Sequence, residues 1–162
     1  MNIPVGKIEE QHVKFSEKEP FSRVRALLQS GFDGYLVATV EGVSSLEEGL
    51  VLLRGNEIVG SVFDALRINK QFYGASALRL VFNLLKSKRG IFDINALSRQ
   101  QIDLIIAFNE KIRLPKPVGQ GMLSKLEPTA YSPDFVSTEL AVDLDASDSR
   151  YNLLKKLGLG SI

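Results

Sequence analysis

Three runs of β-forming residues with short connections constrain the fold of this chain most strongly. The runs are Gly34–Glu41, Gly49–Arg54 and Glu57–Phe63. The Gly55-Asn56 pair between the last two runs is a strong signal for a two-residue turn, because both residue types tolerate a positive φ. Strands joined in this way pair antiparallel, so the sequence predicts a three-stranded meander with a face that helices can cover.

Apolar residues at helical spacing predict helices on either side of this meander. The first helix would begin at Pro20, where a missing N–H is tolerated, and Gly31 would end it. The second, Gly74–Lys88, is hydrophobic on almost all sides. Such a helix lies in the centre of a core or in a subunit interface, so core packing and a homodimer through residues 74–88 both stay open.

A fourth strand and a third helix follow. Ile91–Ile94 has strand composition, and Ser98 with Gln101 forms a capping box that opens a helix. The apolar stripe of this helix would consist of Ile102, Ile105, Ile106, Phe108 and Ile112. The order of elements predicts an α+β fold, in which a small antiparallel sheet (the meander plus the fourth strand) packs with one face against two to three helices.

Beyond residue 114 the amphipathic pattern disappears, which predicts an extended C-terminal tail. A body over residues 1–114, with its core in 20–113, would be followed by a linker over 115–148 that is rich in proline, glycine and acidic residues. Residues 149–162 then return to helical spacing. A chain of 162 residues is long enough for one domain with such an appendage.

The C-terminal tip, residues 149–162, is a candidate docking peptide. The residues predicted to contact a partner protein are Arg150, Tyr151, Leu153, Leu154 and Leu157. A helix this short is not stable alone in water, so the tip must dock either on its own body or on a groove of another protein. Both alternatives stay open at this point.

Basic residues outnumber acidic ones over residues 54–89, although the net charge of the chain is only +1. The candidates for contact with an anion or with nucleic acid are Arg67, Lys70, Arg79, Lys86, Lys88 and Arg89. Phe72 and Tyr73 could stack on bases. Cations at a helix C-terminus also complement the helix dipole, so nucleic-acid binding is the weaker interpretation.

No motif in the chain indicates catalysis, a metal site or a cofactor. There is no cysteine, which excludes disulfides and thiolate ligands, and the one histidine, His12, lies in a polar N-terminal arm. Phosphate-binding glycine motifs and apolar runs of membrane-spanning length are absent. We therefore expect a soluble, intracellular and non-enzymatic protein; a small enzyme with an unrecognised carboxylate site is the minor alternative.

Glycines and apolar residues recur in the middle of the chain in a characteristic order. They form the motifs Gly31-Phe32-x-Gly34-Tyr35, Glu48-Gly49, Arg54-Gly55-Asn56-Glu57-Ile58-Val59, Gly74-x-x-Ala77-Leu78, Gly90-Ile91-Phe92-Asp93 and Ile106-Ala107-Phe108-Asn109-Glu110. Over about residues 20–113 this pattern resembles the PATAN-type domain of bacterial signalling proteins. It is more closely similar to an uncharacterised archaeal domain family with the same layout.

The resemblance implies a cytoplasmic module that binds a protein partner, in the manner of an adaptor in a signalling or regulatory system. It implies no catalytic residue. One segment, Val59-Gly60-Ser61, departs from the pattern, and a glycine inside a strand predicts a bulge or a close approach of another element at Gly60.

Overall fold

A seven-stranded antiparallel sheet forms the centre of the computed structural model, which describes residues 3–41 and 46–141. Its strands are β1 (Lys7–Lys14), β2 (Gly34–Glu41), β3 (Leu46–Arg54), β4 (Glu57–Ala65), β5 (Lys70–Tyr73), β6 (Ile91–Ala96) and β7 (Arg113–Gly119). The strand order is β1-β6-β2-β3-β4, and β5 and β7 both pair with β4. The predicted meander β2-β3-β4 and the predicted fourth strand, β6, are confirmed within a larger sheet.

The three helices predicted within the body begin where the local sequence signals place them: α1 (Pro20–Gln29), α2 (Gly74–Leu84) and α3 (Arg99–Phe108). Two more helices, α4 (Gln120–Leu126) and one over residues 135–141, lie in the segment predicted as a linker, and short 3-10 helices lie at Leu66–Ile68 and Glu110–Ile112. The capping box is present, because Ser98 Oγ accepts the N–H of Gln101 and the Gln101 side chain accepts the N–H of Ser98. The chain is therefore α+β, as predicted.

Helices cover both faces of the sheet, whereas the sequence predicts them on one face only. On one face α2 packs against β3 and β4, and α1 joins it through the Phe21 and Phe82 rings, whose centroids are 5.1 Å apart. On the other face Ile102 and Ile105 of α3 pack against Leu52 of β3. Successive residues of a strand point to opposite faces, and in the central strands both sets are apolar, so both faces need cover.

Gly49 of β3 allows the close approach of α2. A Cβ atom at this position would lie 2.7 Å from Cγ2 of Val81, which is fully buried. A second glycine, Gly60, confirms the predicted bulge: Leu52 pairs with Gly60 and Leu53 with Ile58, so one residue of β4 is left between them. These glycines thus serve packing and register.

Residues 113–119, which span the predicted boundary between body and linker, form β7. Pro115 and Pro117 have no N–H to donate, but β7 is an edge strand whose pairing is with β4 alone, where proline is tolerated. Val118 pairs with Ile58 of β4 and is buried. The prolines that predict the end of ordered structure therefore lie within the sheet.

The residues that follow β7 also belong to the body. Glu127 accepts hydrogen bonds from Arg25 and Lys86. The Asn83 side chain donates to the carbonyl oxygen of Ser132 at 2.9 Å and accepts its N–H at 2.8 Å. The first of the two units of the chain accordingly extends to Ser132, and the second begins at residue 133.

A partly buried carboxyl and a tyrosine influence each other in the first unit. Burial raises the pKa of the Glu47 carboxyl above its ordinary value. Burial, followed by the charge of Glu47, raises the pKa of the Tyr131 hydroxyl. Tyr131 therefore lies close enough to Glu47 of β3 for the two groups to interact, although 84 residues separate them in the numbering of the chain.

We expect Gly49→Ala to destabilise the protein, because the new methyl group would overlap Val81. The free energy of unfolding in urea should fall by about 1–3 kcal/mol. Val81→Ala removes the colliding methyl groups, so the Gly49→Ala/Val81→Ala double variant should lose less stability than the two single variants added together. Strict additivity would contradict this steric explanation.

We expect Glu47→Gln to raise stability at neutral pH, because a carboxyl with a raised pKa in the folded state resists ionisation there. The unfavourable contribution of Glu47 is absent below the ordinary pKa of 4.5, grows between that value and the folded-state pKa, and is constant at higher pH. Urea unfolding at acidic and neutral pH measures the difference. Glu48→Gln removes the same charge from an exposed position of β3 and is the matched control; a gain from Glu47→Gln that is equal at both pH values would refute the prediction.

Candidate functional site

The predicted docking peptide lies outside the described residues. Residues 149–162 therefore remain a candidate from sequence alone, and this holds for the five positions named in it: Arg150, Tyr151, Leu153, Leu154 and Leu157. The candidate surfaces described below all belong to the first unit of the chain.

Lys86, one of the six predicted anion contacts, is engaged within the body. Its ammonium donates to Glu127, lies 3.9 Å from Glu19 and is 4.8 Å from the centroid of the Phe21 ring. Only 20% of the side chain is exposed. Lys86 therefore stabilises the packing of α1 and of the residues after α4 against the end of α2.

The other predicted basic residues are distributed over several elements. Lys88 and Arg89 precede β6 and line a cavity of about 450 Å³ together with Lys14. Arg79 projects from the exposed side of α2 and lines a different, mainly apolar cavity. The remaining two, Arg67 and Lys70, lie on the 3-10 helix after β4 and at the start of β5. The structure thus groups the neighbouring residues Lys88 and Arg89 with Lys14, and it places Arg79 at another cavity.

The hydrophobic helix α2 supplies the core of its own chain. Leu78, Leu80, Val81 and Leu84 are all buried, which confirms the core alternative for this helix. The homodimer through residues 74–88 stays a prediction, and its apolar contact area would have to come from side chains outside this buried set.

The outer face of α3 carries apolar side chains that the sequence predicts as part of a core stripe. Phe108 is 82% exposed, and Leu104, one turn earlier, is 55% exposed. Ala107 is exposed between them, whereas Ile102 and Ile105 are buried. Phe108 follows Leu104 at a spacing of four residues, so both lie on the outer side of the helix. The prediction that Phe108 belongs to the buried stripe is wrong.

Phe108 also borders a cavity of about 490 Å³ in which a second aromatic residue, Tyr73, takes part. The Lys111 ammonium lies in the same cavity, 5.9 Å from the centroid of the Tyr73 ring. Asn109 closes the helix by donating from its side chain to the carbonyl oxygen of Ile105. We call Leu104, Ala107, Phe108 and Tyr73 the Phe108 surface.

The Phe108 surface has the features of a site that binds a protein partner. Exposed aromatic rings beside a cavity are typical of the energetic centre of protein–protein interfaces. Helical spacing does not indicate that Phe108 is exposed, because the position of Phe108 fits the buried stripe as well as the outer face.

The described residues contain no group of three or more histidine, cysteine, aspartate or glutamate side chains that could hold a metal ion. His12 adopts a positive φ of 52° in the irregular part of β1, and its N–H donates to Asp93 at 2.5 Å. Over residues 3–41 and 46–141, no helix is long and apolar enough to cross a membrane.

Comparison with known proteins identifies a family. Residues 1–109 match a protein family that is described as an uncharacterized protein conserved in archaea (DUF2226). No curated protein and no solved structure gives a significant match. The expected archaeal family is thereby confirmed, while the PATAN-like layout stays a prediction. Because the match spans more than half of its length, the chain belongs to this archaeal DUF2226 family.

Proposed function

We propose that this protein is a non-enzymatic interaction module, an adaptor in a cytoplasmic signalling or regulatory system. The observation that carries the proposal is the exposure of Phe108 next to Leu104 on the outer face of α3. In the described part of the chain, every other phenylalanine and tyrosine is buried or half-buried, whereas Phe108 and the neighbouring Leu104 are exposed to water. Large exposed apolar side chains that lie together are typical of interaction sites.

The energetics of this surface suit a reversible contact. Burying Phe108 and Leu104 against a partner would contribute about 1.5–3 kcal/mol each before the cost of association. Lys111 and Glu110 both line the cavity beside Phe108, so the charges there favour neither sign on the partner. The partner that fits best is therefore a protein surface with apolar side chains opposite Phe108 and Leu104.

The C-terminal tip is the second contact element in this proposal. Its leucines at residues 153, 154 and 157 would lie on one side of a short helix, with the intervening lysines on the other. Such an amphipathic peptide binds in an apolar groove. Two weak contacts joined by a linker bind more tightly than either alone, as long as both can engage one partner.

We expect the Leu104→Ser/Phe108→Ser double variant to lose the protein partner that the wild-type chain captures from the native cell lysate. Both side chains are exposed, so the free energy of unfolding should change by less than about 0.5 kcal/mol for each. Mass spectrometry of the captured proteins is the measurement. A chain ending at residue 148 should lose the same partner if the tip contributes.

Leu66→Ser/Ile68→Ser is the matched control, because it removes two other apolar side chains that are 52% and 46% exposed. It should retain the partner. Retention of the partner by Leu104→Ser/Phe108→Ser would eliminate the Phe108 surface from the proposal, and retention by the shortened chain would eliminate the tip.

Binding of nucleic acid or another anion is the second candidate function. It is favoured by one observation, the grouping of Lys88 and Arg89 with Lys14 around a common cavity. Glu41 lies in the same cavity and would repel a phosphate backbone, which makes this the weaker candidate. An enzyme with an unrecognised carboxylate site remains a minor alternative.

If the basic cavity binds nucleic acid, Lys88→Gln/Arg89→Gln should weaken binding of a single-stranded oligonucleotide and reduce its dependence on salt. Fluorescence anisotropy at several salt concentrations measures both quantities. Lys125→Gln/Lys116→Gln removes the same charge elsewhere and is the control. Absence of binding by the wild-type chain at low salt would dispose of this function.

A further inference from the structure

A groove of about 750 Å³, separate from the Phe108 surface, lies between the β3–β4 turn, α3 and β7. Three arginines line it, and they come from distant parts of the sequence: Arg54 at the end of β3, Arg99 at the start of α3 and Arg113 at the start of β7. We call this the arginine groove. None of these arginines is among the six residues that the sequence predicts as anion contacts.

Asp33 orients Arg99, one of the three arginines of the groove. One of its carboxylate oxygens accepts the Nε–H of Arg99 at 3.1 Å, and the other accepts the N–H of Gly55 at 2.7 Å. The guanidinium is thereby tied to the β3–β4 turn. Because Arg99 is held through Nε, and no described residue accepts a hydrogen bond from its terminal Nη atoms, these donors remain for a ligand.

The other two arginines are held less firmly by acidic partners. Arg54 Nη2 lies 3.4 Å from the carboxylate oxygens of Asp103, at the long end of hydrogen-bond distance. Arg113 pairs through its backbone position with Gly60 of β4, which places it in the sheet. Among the described residues, no carboxylate lies within ion-pair distance of the Arg113 side chain.

The charges of the arginine groove indicate what kind of anion it accepts. Two carboxylates, Glu57 and Asp103, lie among the lining residues with the three guanidiniums. Asp33, which pairs with Arg99, is a third carboxylate, so the groove has no excess of positive charge. Among the described residues, however, Arg99 and Arg54 have carboxylate partners and Arg113 has none, and one such guanidinium matches a ligand with a single negative charge. A polyanion such as a nucleic-acid backbone would bring further negative charges towards Glu57 and Asp103, which would oppose its binding.

Apolar side chains complete the lining. Three apolar residues line the groove: Val59 in the bulge of β4, Ile106 of α3 and Pro115 of β7. A ligand that fits this lining therefore has an apolar body beside its charged group.

We propose that the arginine groove binds a single carboxylate group carried on an apolar body. The planar guanidinium donates two parallel hydrogen bonds to the two oxygens of a carboxylate, which explains the use of arginine rather than lysine at all three positions. The carboxylate could belong to a small organic acid or to the C-terminal residue of a peptide, since both present the same group.

The test is a titration of the full-length protein followed by two-dimensional NMR. The probes are N-acetyl-leucine and its neutral counterpart N-acetyl-leucinamide, which differ only in the carboxylate. N-acetyl-leucine should shift the backbone amide signals of Gly55, Asn56 and Glu57, and the amide counterpart should not. A peptide ending in leucine, with a free or an amidated C-terminus, forms the second arm: tighter binding of the free-acid peptide than of N-acetyl-leucine assigns the peptide source, and equal affinity assigns the small acid.

Arg113→Gln should weaken binding of N-acetyl-leucine about tenfold, because it removes a charge-assisted hydrogen bond. Arg113→Lys keeps the charge but not the planar donor pair, and an intermediate affinity is expected. Lys116→Gln removes one positive charge from the same strand outside the groove and should leave the affinity unchanged. The amide spectrum of each variant shows whether it is folded, and Arg54→Gln replaces any variant that is not.

Several results would overturn the proposal. These are equal binding of N-acetyl-leucinamide, equal weakening by Lys116→Gln and Arg113→Gln, and absence of any shift in the turn residues. Stronger binding of inorganic phosphate or of an oligothymidine would show that the groove is a phosphate site instead. Phe108 takes no part in this experiment, so its outcome is independent of the capture experiment on the Phe108 surface.

Discussion

The contact between α2 and the central strands is the interaction on which the rest of this structure depends. Gly49 lets the helix come close enough for Val81 to pack directly on β3. Once α2 lies there, two further segments pack on it: Phe82 contacts α1, and Asn83 binds the backbone of Ser132. A bulkier residue in place of this glycine would therefore affect the docking of segments that are remote from it in sequence, because they pack on the helix rather than on the sheet.

The outer edge of β4 determines where the residues of the arginine groove lie. The two short strands β5 and β7 share this edge, with β7 pairing near the start of β4 and β5 near its end. This arrangement carries Arg113 to the vicinity of the β3–β4 turn, where Arg54 and Arg99 lie. It also places Pro115 and Pro117 on an exposed strand edge, where the missing N–H groups discourage pairing with another chain.

The helix α3 connects the two proposed sites through its different sides. Ile102 and Ile105 bury one side against the sheet, Arg99 and Asp103 line the arginine groove, and Phe108 lies at the exposed end. Its capping box determines where the helix starts, and hence the direction in which each side chain points. A short helix that presents a buried, a charged and an apolar side allows a protein-binding surface and a ligand groove to lie on one small body.

The amino-acid sequence by itself determined the features that depend on neighbours along the chain. The Gly55 turn, the helix start at Pro20 and the Ser98 capping box are local, because a few consecutive residues make their hydrogen bonds. Only the tertiary structure decided that Phe108 is exposed and that Arg113 belongs to a strand beside two other arginines. Helical spacing leaves open which sides of α3 find a partner, and proline ends a helix without excluding an edge strand. Burial and charge grouping depend on residues distant in sequence, so no local pattern could specify them.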